Sequence, residues 1–243
     1  MLISDTTVDI PLSNEDETHE LMSKADQYKF ILQTYTCLTF QFLITTCFAL
    51  ITKTDTRVQL FMTTETGYIL QGISLFSIFS ILFASLWYEK YFTIYKTKYT
   101  LLVLFTLSFS YNLSCLLNIA NNDLVLLTSG LTLANTILLS ILSMCTKINN
   151  SYLIQLLSVI TLTLITTGIL GVIFQSQIFY LFMSTLGTLL FSGFIILDTK
   201  MILSNTFRIY KQTDFVLASI NLYMDIINLF LYSLRCLQLM SSD

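Results

Sequence analysis

The sequence predicts an all-α membrane protein, a bundle of seven transmembrane helices with the C-terminal helix at its centre. Of the 243 residues, 54% are hydrophobic and only 11% are charged, whereas about a quarter of the residues of a soluble domain are charged. One proline and seven glycines leave the long apolar runs almost uninterrupted. Seven of these runs reach about the 20 residues that an α-helix needs to cross a bilayer.

The N-terminal residues 1–28 differ in composition from the rest of the chain. They carry a cluster of acidic side chains and no apolar run, so they do not form a cleavable signal peptide. We predict an acidic, disordered cytosolic tail, with partner binding as an alternative role, followed by one seven-helix transmembrane domain over residues 29–243. The acidic residues are Asp5, Asp9, Glu15, Asp16, Glu17 and Glu20.

The predicted membrane segments are separated by short polar breaks, which favours antiparallel neighbours in one bundle. Small residues on the fifth and sixth segments predict close packing of these helices. The segments are 29–51, 68–88, 99–121, 123–146, 152–174, 178–203 and 215–240. The small residues are Thr163, Thr167, Gly168, Gly171, Ser184, Gly187, Thr188, Ser192 and Gly193.

Basic residues predict that the N-terminus is cytosolic, because cytosolic loops are enriched in lysine and arginine. Only Lys53 and Arg57 flank the segments on the other side. Seven crossings place the C-terminus opposite the N-terminus. In an alternative, the last segment enters the membrane and returns, so that both ends are cytosolic. The basic residues on the N-terminal side are Lys24, Lys29, Lys90, Lys96, Lys98, Lys147, Lys200, Arg208 and Lys211.

Several classes of site are not indicated by the sequence. The cysteines are scattered, mostly in apolar segments, with no CxxC pair, and are interpreted as small buried hydrophobes. The single histidine, His19, lies in the acidic tail, so neither a histidine-based zinc site nor a Ser-His-Asp triad is expected. No basic patch interleaved with aromatic residues indicates nucleic acid as a partner.

Two aspartates lie inside apolar segments, where a carboxylate costs about 2.5–3.5 kcal/mol. Asp198 lies about five residues from the cytosolic end of the sixth segment, and Asp225 about ten from the same end of the seventh. At 1.5 Å per residue their depths differ by about 8 Å. Antiparallel packing of these two helices would therefore bring the carboxyl groups together, directly or through water.

The last segment carries a polar stripe at helical spacing. Asn221, Asp225, Asn228, Tyr232 and Arg235 follow each other at intervals of four, three, four and three residues, which places them on one face. A polar face of a membrane helix is normally turned to the bundle interior or to a wet cavity. The last helix is therefore predicted to be central.

Paired carboxylates in a low dielectric titrate as a unit, because both cannot easily ionise side by side. Loss of a shared proton leaves either repulsion or a site for a cation. Calcium favours several oxygen ligands, and Asn221 and Asn228 would add amide oxygens to those of Asp198 and Asp225. The sequence thus predicts a pH-sensitive calcium site, with a purely structural interhelical hydrogen bond as the alternative.

Three stretches resemble a known family. Residues 187–199, GTLLFSGFIILDT, and 215–231, FVLASINLYMDIINLFL, closely resemble the last two segments of the transmembrane Bax inhibitor motif (lifeguard) family. The spacing of Tyr35, Leu38, Gln41 and Thr45 in the first segment is similar to its Golgi anti-apoptotic protein branch. The likeness covers most of the chain from about residue 29 and is weakest between residues 50 and 175.

The resemblance implies a pH-sensitive calcium leak channel in the Golgi or endoplasmic reticulum that lowers the calcium store and protects against apoptosis. It implies that Asp198 and Asp225 are the gating pair. Calcium would be a permeant or regulatory ion, and no other cofactor is expected. Phe109 stands where the family often has a glutamate, and Lys96 and Lys98 replace a proline and an asparagine.

Two other function classes remain open at this point. A non-conducting anti-apoptotic protein would bind apoptosis-regulating or calcium-store proteins through the acidic tail. An intramembrane aspartyl protease also uses two membrane aspartates, but Asp225 lies in LYMDI rather than in a GxGD motif. We therefore expect that the chain is not an enzyme.

Overall fold

The computed structural model describes residues 23–87, 95–145, 150–171, 176–204 and 210–241. These residues form eight α-helices and one 3-10 turn, and no strand occurs among them. Most of the predicted tail lies outside the described residues, as do Lys90, Lys147 and Arg208. The helices are α1 Lys24–Thr54, α2 Thr56–Met62, α3 Glu65–Trp87, α4 Tyr95–Asn118, α5 Asn122–Cys145, α6 Asn150–Gly171, α7 Gln177–Leu203 and, after the 3-10 turn Gln212–Asp214, α8 Phe215–Ser241.

Seven of the helices coincide with the seven predicted segments. Each is long and apolar enough to cross a membrane, and a helix satisfies its own backbone hydrogen bonds, as a spanning segment must in lipid. The prediction of an all-α membrane protein is confirmed. Because α8 continues without a break over 27 residues, a last segment that enters and returns is inconsistent with the structure.

Side chains are distributed as a lipid solvent requires. Large apolar residues point outward, among them Phe76 and Leu126, which are each 75% exposed. Hydroxyl and amide side chains are buried instead, including the fully buried Thr34, Gln41 and Ser110. Since lipid is as apolar as leucine, polar contacts and close packing hold such a bundle together.

The last helix is central, as predicted. In the most apolar 18-residue stretch of each span, 61% of α8 is buried inside the protein, against 11–44% of the other six spans. It packs against α1, α4, α5 and, most extensively, α7. Helix α6 packs on α7, and α3 packs on α4, so these two helices lie further out.

The polar break between the first two segments contains an unpredicted short helix, α2. Its N-terminus is capped by Asp55, which accepts a hydrogen bond from the backbone N–H of Arg57 at 2.8 Å. Seven residues are too few to show a spanning pattern, which is why it was missed. The turn into α3 requires Gly67, because a Cβ there would lie 2.4 Å from the carbonyl oxygen of Phe61.

The predicted close packing of small residues is confirmed on α7 but is wrong for Thr163 and Gly168 of α6. A Cβ on Gly187 would lie 2.3 Å from the ring of Tyr232, and one on Gly193 would lie 2.5 Å from Leu157. On α6, Thr163 and Gly168 are exposed. The Thr163 hydroxyl donates to the carbonyl of Val159 at 2.8 Å, and this local bond lets threonine face lipid without an unsatisfied donor.

Candidate functional site

The structure brings Asp198 and Asp225 into direct contact. Asp198, near the end of α7, is 6% exposed, and Asp225, in the middle of α8, is half-buried. Their side chains are hydrogen-bonded to each other. The sequence predicted that the two aspartates differ in depth. That prediction assumed that α7 and α8 end at the same level, and in the structure the two side chains nevertheless meet. A carboxylate can only accept a hydrogen bond, so this contact requires a proton on at least one of the two groups.

Tyr210 is a site residue that the sequence did not reveal. Its hydroxyl accepts a hydrogen bond from the Asn221 amide at 2.9 Å, and its ring stacks on Phe30 with the centroids 6.3 Å apart. Burial, and secondly the charge of Asp198, raise the pKa of Tyr210. The phenol therefore stays neutral at any physiological pH. An aromatic residue in the short connection between the two aspartate-bearing helices was the available signal.

The N-terminal end of the bundle is held together around this site by polar contacts. The Gln27 amide donates to the carbonyl of Leu203 at 2.7 Å, and the Gln212 amide donates to Asp26 at 2.9 Å. These bonds join the start of α1 to the end of α7 and to the 3-10 turn. Lys98 lies over the ring of Phe215, 4.2 Å from its centroid. The aspartate pair is therefore covered on this side.

The other half of the predicted stripe faces a cavity. Asn228, Tyr232 and Arg235 line a cavity of about 490 Å³ between α6, α7 and α8. Tyr232 stacks on Phe191 at 5.5 Å between centroids, and the Arg235 guanidinium lies 5.1 Å from the ring centroid of Tyr180. The whole stripe thus lies on the face of α8 that meets α7, with Asn228 one turn from Asp225.

The opposite face of α8 carries a second polar cluster, which the sequence analysis did not predict. The Tyr223 hydroxyl lies 2.7 Å from that of Thr45, which lies 2.9 Å from that of Ser110. The rings of Phe42 and Phe109 meet Tyr223 edge-on, 5.4 and 5.5 Å from it. Phe109, which the resemblance placed where the family often has a glutamate, is therefore part of this aromatic packing and lies away from the aspartate pair.

The described residues offer few side chains that could hold a permanently bound metal ion. Among the described residues, no group of three or more histidine, cysteine, aspartate or glutamate side chains is placed to hold a metal. Calcium takes six to eight oxygen ligands, and Asp198 and Asp225 supply two carboxyl groups that bond each other. The pair alone therefore supplies fewer oxygens than a permanently bound calcium ion takes.

Comparison with known proteins places the chain in a family. Residues 27–242 match the family described as inhibitor of apoptosis-promoting Bax1. The Golgi anti-apoptotic protein of Vaccinia virus (strain Lister) is 33% identical over 213 residues, 86% of this chain and 84% of the relative. Protein lifeguard 4 of Mus musculus is 44% identical over 71 residues, 29% of this chain and 28% of the relative. Protein lifeguard 3 of Mus musculus is 26% identical over 139 residues, 56% and 45% of the two chains.

The family match spans all seven membrane helices, and the viral relative is covered over most of its length. The family match includes the segments that carry the aspartate pair. The resemblance seen in the sequence is thereby confirmed: the chain belongs to the Bax inhibitor (lifeguard) family of anti-apoptotic integral membrane proteins.

Proposed function

We propose that the chain is a calcium-permeable leak channel of an intracellular store, in the Golgi or the endoplasmic reticulum, and that it protects against apoptosis by lowering the store. The observation that carries the proposal is the direct hydrogen bond between Asp198 on α7 and Asp225 on the central helix. The partners are the bilayer, calcium and protons, and no enzymatic step is involved.

The shared proton is the proposed control element. While it is present, the carboxyl groups bond each other and hold α7 against α8. As pH rises the proton is lost, and two negative charges at hydrogen-bond distance in a low dielectric repel each other strongly. The leak is therefore low at acidic pH and increases with rising pH. Tyr210 does not titrate with the pair, since burial raises the pKa of its phenol.

The charge that opens the contact also attracts the permeant ion. Two separated carboxylates offer up to four oxygens, and Asn228 lies one turn away on the same face. The cavity lined by Asn228, Tyr232 and Arg235 provides the approach from the end opposite the N-terminus. On the N-terminal side Tyr210 and its bond to Asn221 close the path, so Tyr210 moves when the channel conducts.

The test measures calcium flux from liposomes that contain the purified full chain, over acidic to mildly alkaline pH. Wild-type flux should rise with pH. Asp198→Asn and Asp225→Asn keep an uncharged hydrogen-bonding group, so each should remove most of the pH dependence, and the double variant all of it. Asp123→Asn, an exposed acidic residue at the start of α5, serves as the matched control and should keep the wild-type profile.

Two results would count against this function. An unchanged pH profile in a well-folded, monodisperse double variant would remove the aspartate pair from gating. An absence of wild-type flux at every pH, with protection of cells from apoptosis intact, would favour a non-conducting protein that acts by binding partners.

A further inference from the structure

A second cavity lies on the other side of α8 from the aspartate pair. It has a volume of about 680 Å³ and is bordered by α1, α4, α5 and α8. Its lining includes Leu38, Ala49 and Lys53 of α1, Leu133 of α5 and Phe230 of α8. We refer to this cavity as the α1–α5 groove. We propose that it binds one acyl chain of a membrane phospholipid, with the lipid phosphate on Lys53.

The groove opens sideways, toward the hydrocarbon of the bilayer. Helix α1 packs on α4 and α8, while α5 packs on α7 and α8, so the groove separates α1 from α5. Its rim is formed by Leu50, Leu126 and Leu133, which are 59%, 75% and 64% exposed. These side chains belong to membrane spans. An occupant therefore enters from the lipid phase rather than from water.

The groove surface suits a hydrocarbon chain better than a hydrated ion. Three of its five hydroxyl-bearing residues donate to carbonyls of their own helices: Thr45 donates to Gln41 and Thr136 to Thr132, both at 2.8 Å. Ser129 likewise donates to the carbonyl of Leu126 at 2.8 Å. Methyl and methylene groups thus make up most of the groove surface, and burying them with an acyl chain is favourable.

The groove is longer than the hydrocarbon depth of one leaflet. Leu38 and Lys53 both line it and are fifteen positions apart on α1, which corresponds to about 22 Å along the helix. Half of the hydrocarbon thickness of a bilayer is about 15 Å. Lys53 lies at the end of the bundle opposite the N-terminus. An acyl chain that enters beside Lys53 from the leaflet on that side can therefore lie in the groove over the full depth of the leaflet.

Lys53 provides the charge that selects a phospholipid. It lies in the last turn of α1, and its ammonium group donates one hydrogen bond to the carbonyl of Ala120 at 2.7 Å. An ammonium group has three N–H donors, so this bond anchors the side chain at the groove mouth and leaves donors for a phosphate oxygen. The headgroup and the chain are thus recognised at opposite ends of one continuous surface.

The first test uses a phosphatidylglycerol that carries a diazirine on its acyl chain, added in trace amount to phosphatidylcholine vesicles containing the full protein. After illumination, labelled peptides should be concentrated on the groove segments of α1 and α5. Ala49→Trp and Thr136→Phe each fill the groove and should lower this labelling at least threefold. Ala134→Trp, on an exposed face of α5 outside the groove, is the matched control and should leave it unchanged.

The second test addresses the headgroup. Lys53→Gln should lower the labelling by the anionic probe and reduce its excess over an equivalent phosphatidylcholine probe. Arg57→Gln, an exposed basic residue at the same end, should not. Equal labelling of the groove and of the exposed face of α6, insensitive to Ala49→Trp and Thr136→Phe, would show ordinary surface lipid only and would overturn the proposal. The aspartate pair is intact in every variant, so this outcome is independent of calcium flux.

Discussion

The two buried faces of α8 hold polar groups of opposite character. The face toward α7 carries Asp225, whose bond to Asp198 exists only while a proton is present. The face toward α1 and α4 carries Tyr223. Its hydroxyl forms a hydrogen bond with the hydroxyl of Thr45, and this bond does not depend on a carboxyl proton. Under the proposed function, one contact of the central helix therefore depends on pH and the other does not.

This difference predicts which parts of the bundle move. The Tyr223 cluster is surrounded by the rings of Phe42, Phe105 and Phe109, at 5.4–6.4 Å. Packed aromatic rings and neutral hydroxyl bonds fix α8 against α1 and α4. If the aspartate pair gates the protein as proposed, the α7–α8 contact is the interface expected to open while the rest of the bundle stays together.

The largest effect on stability is expected where α7 and α8 approach most closely. In Gly187→Ala the new Cβ would lie 2.3 Å from Cδ1 of the Tyr232 ring, so the ring or the helix must shift. We expect a loss of about 1–3 kcal/mol, measured as a lower unfolding temperature in detergent.

The matched control is Gly130→Ala on α5, where the space around the added Cβ is open. Alanine in a helix is favoured over glycine by about 0.5–1 kcal/mol, so this variant should be equal to or slightly more stable than wild type. If Gly187→Ala unfolded like Gly130→Ala, the α7–α8 interface would be looser than its geometry indicates.

Much of the fold follows from composition and spacing. Seven apolar runs gave seven spans, because a bilayer permits little other than a helix over such a length. The polar stripe gave both the central position of α8 and its face toward α7. The aspartate pair was predicted because an acid inside a span needs a partner, and Asp198 and Asp225 are the two acids in the interior of the apolar segments, whereas Asp123 lies at the end of one.

The contacts made by residues without a periodic pattern were not predictable. Tyr210 lies in a connection, and only the folded chain places it against Asn221 and Phe30. The Tyr223 cluster joins residues 178 positions apart in sequence. The α1–α5 groove is a space between helices, so no residue type marks it. Each of these features depends on how the helices pack around one another.

A smaller effect on stability is expected from Tyr223→Phe. The variant keeps the ring among the phenylalanines but removes the hydroxyl that lies 2.7 Å from Thr45. Interhelical hydrogen bonds in membrane proteins contribute about 1 kcal/mol, so the unfolding temperature should fall modestly. The pH dependence of calcium flux should stay as in wild type. A shifted pH profile would show that the two faces of α8 are coupled.

An effect of similar size but of opposite sign is expected at Gln41, one turn before Thr45 on the same face. Its side chain is fully buried, and among the described residues neither amide atom has a hydrogen-bond partner. A buried polar group without a partner is destabilising, so Gln41→Met, which keeps the shape and removes the amide, should stabilise the protein by about 1 kcal/mol. The bond from Thr45 is retained, since it goes to the backbone carbonyl of Gln41.

The control variant, Gln27→Met, loses a 2.7 Å bond to the carbonyl of Leu203 and should destabilise the protein. Thermal unfolding of both variants decides the point: a loss of stability in Gln41→Met equal to that in Gln27→Met would mean that the Gln41 amide is bonded in the membrane, and that the face toward α1 and α4 is wetter than its packing indicates.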